Sequence, residues 1–160
     1  MKGPYKVSES STKTNFRMAA INPYLEKVYQ TPHAKKLNLQ LLSAEKSSVI
    51  LKLPFSSDII GDSVNNYIHG GAITTAIDTA CGSAIFQLQN NLRALATLDL
   101  RVDHVCPAPS GADVQVMADC YHLTHTIAFV RATAYTDDIN TPIATAIGTF
   151  MRSNKQFPIS

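Results

Sequence analysis

The chain has 160 residues, of which 45% are hydrophobic and 16% charged, a balance that points to one globular domain with a sparsely charged surface. A net charge of +2 argues against bulk nucleic-acid binding and is compatible with a small anionic substrate. No stretch approaches the length that spans a bilayer and the N-terminal residues lack the apolar run of a signal peptide, so no membrane partner is expected.

Residues 1–15, M-K-G-P-Y-K-V-S-E-S-S-T-K-T-N, read as a polar tail, and 16–160 as a single domain. F-R-M-A-A-I-N-P-Y-L-E-K-V-Y suggests one or two short helical pieces, with Asn22 as N-cap and Pro23 at the first helical position. Tyr24, Leu25, Val28 and Tyr29 would form its apolar side and cover the core. Two strands follow, in which Leu37, Leu39 and Leu41, then Val49, Leu51 and Leu53, alternate with polar residues around a turn at Ala44–Ser47. Ser56 to Tyr67 reads as a polar loop with a turn signal at Gly61-Asp62.

His69 to Asn90 is the stretch around which the rest is organised. Its apolar residues come in pairs four apart (Ala72/Ile73, Ala76/Ile77, Ala80/Cys81, Ala84/Ile85), and no Lys, Arg or Glu interrupts it between Gly70 and Asn90. A surface helix of this length needs a charged face, so this one is expected to be enclosed by the fold. It contains one carboxylate, Asp78, with Thr74 and Thr75 one turn earlier. A carboxylate among apolar neighbours is costly unless it works, which makes Asp78 a catalytic candidate. Gly70 and Gly71 stand where the helix's free N–H groups lie and allow a ligand to approach the backbone. A developing oxyanion could be stabilised there.

Asn90-Asn91 offers a stop. Thr97–Val105 then alternates, with Leu98, Leu100 and Val102 on one face and Thr97, Asp99, Arg101 and Asp103 on the other; Pro107, Pro109 and Gly111 break it. Asp113–Tyr121, Thr126–Tyr135 and Pro142–Arg152 read as three further strands, separated by turns at His122–His125 and at Asp137, Asp138 and Asn140. Strands joined by short turns imply an antiparallel sheet, and wrapping that sheet around the long helix is the way to cover it: an α+β fold. Cys81, Cys106 and Cys120 have no metal-ligand spacing and cannot all pair, so they read as reduced residues of a cytoplasmic protein, with Cys81 as a small core residue. His33, His104, His122 and His125 also lack the spacing of a metal site, and no metal is expected.

His69-Gly70-Gly71, six further residues and then Asp78 on the same helix resemble the signature of hotdog-fold acyl-CoA thioesterases of the PaaI-like, phenylacetate-pathway group. T-L-D-L-R-V-D-H-V-C-P-A (97–108), Gly111 with D-V-Q-V-M-A-D-C, and T-I-A-F-V-R-A-T-A are similar to the family's later strands, so the likeness spans roughly residues 55–150. It implies the hotdog fold, with an antiparallel sheet around one central helix, and hydrolysis of an acyl-CoA thioester with coenzyme A as part of the substrate rather than a cofactor. It implies Asp78 as general base or nucleophile, Thr97 as the group that orients water, and Gly70 as the oxyanion-binding N–H. His69 and Gly71 become substrate-binding candidates, and His122, His125, Arg101 and Arg131 candidates for the anionic end of coenzyme A. It also implies a homodimer, or a tetramer as a dimer of dimers, because in the family the Gly side and the Asp side of one site come from different subunits.

One departure stands out. The family often has Asn or Gln seven residues before the oxyanion Gly, where this chain has Ser63, with Asn65 and Asn66 close by. A non-catalytic acyl-CoA binder or sensor is therefore an alternative. A hotdog hydratase is a further one: Gly61-Asp62 and Asn65 mimic part of the hydratase motif, but Asp62 stands seven residues before His69 and the motif's Pro is absent.

Overall fold

In the computed structural model, residues 23–89 and 93–156 are described. The polar tail, the Asn22 cap and the Asn90-Asn91 turn lie outside them. Pro23 opens α1 (Pro23–Tyr29), whose Leu25 is fully buried and whose Tyr29 hydroxyl shares a hydrogen bond of 3.0 Å with Ser83 on the central helix. Burial pushes the Tyr29 phenol up to about 12, against the opposing effect of that bond.

A second short helix, α2 (Pro32–Lys36), was not expected, although its signal is present. Thr31 caps it by accepting from the Ala34 N–H, and Pro32 sits in the first turn, where its missing N–H costs nothing. The chain leaves α2 through Leu37 and through Asn38 at φ 51°, a left-handed conformation that Asn tolerates. Strand β1 (Gln40–Ala44) consequently starts later than the alternation from Leu37 suggests. It pairs with β2 (Ser48–Leu53), where Val49, Leu51 and Leu53 are buried and the residues between them are half-exposed.

The expected loop at 56–67 has structure of its own. A 3₁₀ turn, Ser57–Ile59, leads into a small hairpin of β3 (Ile60–Asp62) and β4 (Tyr67–Ile68). The central helix α3 (Gly70–Leu88) follows, and then β5 (Arg93–His104), β6 (Val114–Leu123), β7 (Ile127–Tyr135) and β8 (Ala144–Gln156).

Six strands form one antiparallel sheet in the order β1-β2-β6-β7-β8-β5. Helix α3 lies on its inner face against β2, β6 and β7, and α1 packs on α3. This is the hotdog fold. It closes because small residues face one another: Ala76, Ala80 and Ala84 of α3 and Ala128, Ala132 and Ala134 of β7 are all buried, so the helix approaches the sheet closely while Val114, Val116 and Val130 fill the remaining space.

Two expectations need correction. First, α3 is not enclosed all round. Gly71 is exposed, and Thr75, Asp78 and Gly82 are only half-buried, so one strip of the helix stays open. The sheet and α1 cover the other sides, and the open strip needs no charge because its threonines bond back to the helix: Thr75 donates to the Gly71 carbonyl and Thr79 to the Thr75 carbonyl.

Second, β5 does not alternate in a single phase. Thr97 pairs with Phe150 and Asp99 with Thr149, so Leu98 is an extra residue in the ladder, a β-bulge. Leu98 is 55% exposed, whereas Leu100 and Val102 after the bulge, and Leu95 before it, pack on the core. The bulge changes the parity of the strand, so Thr97 shares an inward face with residues that the unbroken alternation would put on the opposite side. Strand β5 is also an edge: β8 pairs with one side of it and no described strand with the other.

Replacing fully buried Leu51 by Ala is expected to cost about 2–5 kcal/mol. Urea unfolding would report the change as a lower midpoint at unchanged slope, and an unmoved midpoint would contradict this description of the core.

Candidate active site

The first element of the site is the N-terminus of α3. His69 is its N-cap, and its Nδ1 accepts from the Gly71 N–H at 2.9 Å, satisfying one of the helix's orphan donors. Two glycines make room for it. A Cβ on Gly61 would stand 2.8 Å from the His69 Cα, and one on Gly71 would stand 2.9 Å from Nδ1. Since the Gly61 conflict is with backbone, it cannot be relieved by a side-chain rotation. With the Gly71 N–H bonded to His69, the Gly70 N–H is the donor at the helix end left free of any hydrogen bond within the described chain. The sequence reading grouped Gly71 with the substrate contacts; the structure sets its N–H on the cap instead.

Eight residues further along α3, about 12 Å of helix, the Thr97 hydroxyl donates to Asp78 Oδ1 at 2.9 Å. The bulge at Leu98 is what turns Thr97 towards the helix. Asp78 is half-buried rather than sealed in an apolar environment, and it is paired, so the burial argument that singled it out does not describe its surroundings. Beside the pair runs a groove of about 250 Å³ walled by Val28, Gly82, Phe86, Leu95 and Phe150. Its walls are apolar apart from Asp78, Thr79, Ser83 and Thr97.

A second cleft, of about 400 Å³, opens at the other end of the helix between Ile68, Gly70, Ile73, His104 and Cys106. Spacing in the sequence marks His104 only as one of several histidines without a metal-site pattern. Its parity with Leu100 and Val102 was the available signal, because those residues point to the core and His104 continues their face. The two clefts share no lining residue, so within one chain Gly70 and Asp78 are not brought together.

Several candidates lie apart from both. Ser63, Asn65 and Asn66 form the exposed tip of the β3–β4 hairpin, beyond the Asp62–Tyr67 pair. Asn65 is tied down there: its side-chain amide donates to Asp62 Oδ2 at 2.7 Å, while the Val64 and Asn65 N–H groups donate to Oδ1. The Asn65 amide first, then these backbone donors, hold the Asp62 carboxyl below the usual range. Asn66 takes a left-handed φ of 55° to close the turn. Arg101 is paired with Asp103 at 3.1 Å, and Arg131 with Asp119 at 3.1 Å while lying over the Tyr121 ring, so neither offers an uncompensated charge. His122 packs on Phe129, and His125 meets Arg93. Among the described residues no helix is long and apolar enough to cross a membrane.

The family model of the thioesterase superfamily matches residues 65–143, which hold the whole lining of the Gly70 cleft and the Asp78–Thr97 pair. A crystal structure of a Pseudomonas aeruginosa protein superposes with a TM-score of 0.73 at 38% identity, covering 82% of this chain and 100% of that one. The Escherichia coli PaaI protein of the phenylacetic acid degradation operon superposes with a TM-score of 0.72 at 15% identity over 82% of this chain and 91% of its own, a likeness of fold. A curated medium/long-chain acyl-CoA thioesterase of Salmonella typhimurium is 26% identical over 137 residues, 78% of this chain and 87% of that protein. The chain belongs to the hotdog-fold thioesterase superfamily.

The cysteines are poor candidates for a nucleophile. Burial first, and then the nearby Asp78 carboxylate, push the Cys81 thiol up to about 12, and Cys120 is raised by burial as well. At pH 8, iodoacetamide is expected to label exposed Cys106 and to spare Cys81 until the protein is unfolded. Prompt labelling of Cys81 in the folded protein, read by peptide mass, would contradict its placement.

Proposed function

We propose that this protein hydrolyses acyl-CoA thioesters, with Asp78 as general base. The observation that supports the reading most is the Thr97 hydroxyl on the Asp78 carboxylate, beside an apolar groove sized for an acyl chain. Thr97 donates to Oδ1, which leaves Oδ2 to take a proton from water, and the Thr97 oxygen keeps a lone pair with which to hold that water. The water oxygen bonds to the thioester carbonyl carbon while Asp78 accepts its proton. The carbonyl π pair moves to oxygen, where the Gly70 N–H and the positive end of α3 stabilise it. Collapse of the tetrahedral intermediate breaks the C–S bond, and the leaving thiolate recovers the proton from Asp78, giving free acid and coenzyme A.

Because Gly70 and Asp78 open into separate clefts, the working site is proposed to pair the Gly70 end of one copy with the Asp78 end of another. The open strip of α3 and the unpaired edge of β5 give a second copy a place to dock. His69 acts in this reading as the residue that holds the loop and frees the Gly70 N–H. The apolar groove, together with the curated relatives that act on medium- and long-chain acyl-CoA, points to aliphatic acyl groups.

Thiol release from a panel of acyl-CoAs, with octanoyl-, palmitoyl- and phenylacetyl-CoA among them, tests the activity. Asp78→Asn is expected to lower kcat by about a hundredfold or more, and Thr97→Val by about tenfold, both with unchanged circular dichroism. Near-wild-type turnover by Asp78→Asn would refute the assignment. Thermal stabilisation by acyl-CoAs without any cleavage would replace the enzyme by a binding protein. Label found on Asp78 after a single turnover in ¹⁸O water would establish a nucleophilic carboxylate, since a general base never bonds to the labelled oxygen.

Light scattering at micromolar concentration is expected to give at least a dimer mass. A monomer there would sink the shared site.

A further inference from the structure

Resting on that reading, we propose that His104 is a further catalytic residue, which donates a second hydrogen bond to the thioester carbonyl beside the Gly70 N–H. The imidazole lies directly over the start of α3. A Cβ placed on Gly70 would be 3.4 Å from Cε1, 3.5 Å from Nε2 and 3.9 Å from Nδ1 of His104, so the ring stands one methyl group's width from the helix end. Both line the same open cleft. A carbonyl oxygen bound to the Gly70 N–H would lie in the cleft that the imidazole also lines.

The hydroxyls of α3 indicate how the ring is held. Thr75, Thr79 and Ser83 each donate to the carbonyl four residues back. Thr74 makes no such bond within the described chain, and its Oγ1 instead faces His104 Nε2 at 3.4 Å. In the proposed tautomer Thr74 donates to Nε2, so the neutral ring carries its own proton on Nδ1, where it is free to donate. Parity supplies the rest: the bulge at Leu98 puts Leu100 and Val102 on the inward face, and His104 continues that face to the helix end.

Such a donor would make good what the hairpin tip withholds. Ser63 stands where relatives often have Asn or Gln, and Asn65 is bonded to Asp62. His104 reaches the same carbonyl from the strand rather than from the loop. It is exposed in the chain, so replacing it removes no core packing.

Three enzymes, wild type, His104→Phe and His104→Asn, are compared with Asp78→Asn as the dead reference. Asn is the informative replacement because its side-chain N–H₂ stands where Nδ1 does. His104→Phe is expected to lower kcat by about a hundredfold with KM changed less than about threefold, and His104→Asn to recover most of that loss. Full kcat in His104→Phe overturns the inference while leaving Asp78 in place, and so does an effect confined to KM or an Asn variant no better than Phe. Binding of two unreactive analogues adds a readout independent of turnover. A CoA ketone, with methylene for sulfur, keeps the carbonyl, and a CoA thioether lacks it. His104→Phe is expected to weaken the ketone about tenfold or more and to leave the thioether unchanged. Equal weakening of both overturns the carbonyl contact. Binding of neither by the wild type removes the acyl-CoA reading itself, and the inference with it.

Discussion

Every functional feature of this chain depends on the contact between a helix without basic residues and an antiparallel sheet. Helix α3 can lie against β2, β6 and β7 because the touching residues are small on both sides, and the alanines that permit the approach are almost completely excluded from water. Burial of this kind has no directional preference of its own. What gives it one is that the helix must still present two polar points, its N-terminal N–H groups and Asp78, on the side away from the sheet. The packed face and the open strip are thus two aspects of one amino-acid pattern, and the charge-free length that first marks the helix as internal also leaves a clean surface beside Asp78.

Much of this was legible in the sequence. The helix announces itself through paired apolar residues four apart, and the strands of the sheet through alternation of apolar and polar residues. The rest was hidden for particular physical reasons. Alternation assumes that a strand keeps one phase, and β5 does not: at Leu98 the ladder takes in an extra residue, so Thr97 sits on the face that simple counting denies it. The polar run before the helix conceals a hairpin because strands of three and two residues are too short to show a period. Helix α2 is a single turn, recognisable only from Thr31 and Pro32. Asp78 illustrates a different failing, since the residue was singled out on an argument about burial, whereas the structure gives it a partner and partial exposure.

The helix terminus also shows how local chemistry decides which backbone groups are free to work. Of the Gly-Gly pair, one N–H is bonded to the His69 ring and the other has no partner among the described residues. The motif is therefore less a flexible loop than an assignment of roles, made by a cap whose close fit demands glycine at 61 and 71. Sequence alone shows the two glycines as equivalent; only the cap distinguishes them.

The bulge in β5 has a bearing on how the sheet assembles as well as on what it displays. A strand with a single phase can slide by two residues along its neighbour and still bury an apolar face, so mispairing costs little. In β5 the inward residues have odd numbers before Leu98 and even numbers after it, and β8 must meet both halves at once. Only one registration satisfies them together. A two-residue slide would carry the kink away from its partner at Phe150 and Thr149, and a one-residue slide would turn Arg101 and Asp103 into the core. The extra residue thus works as a register lock, and it falls on the longest ladder beside the helix, where an error in pairing would be most damaging.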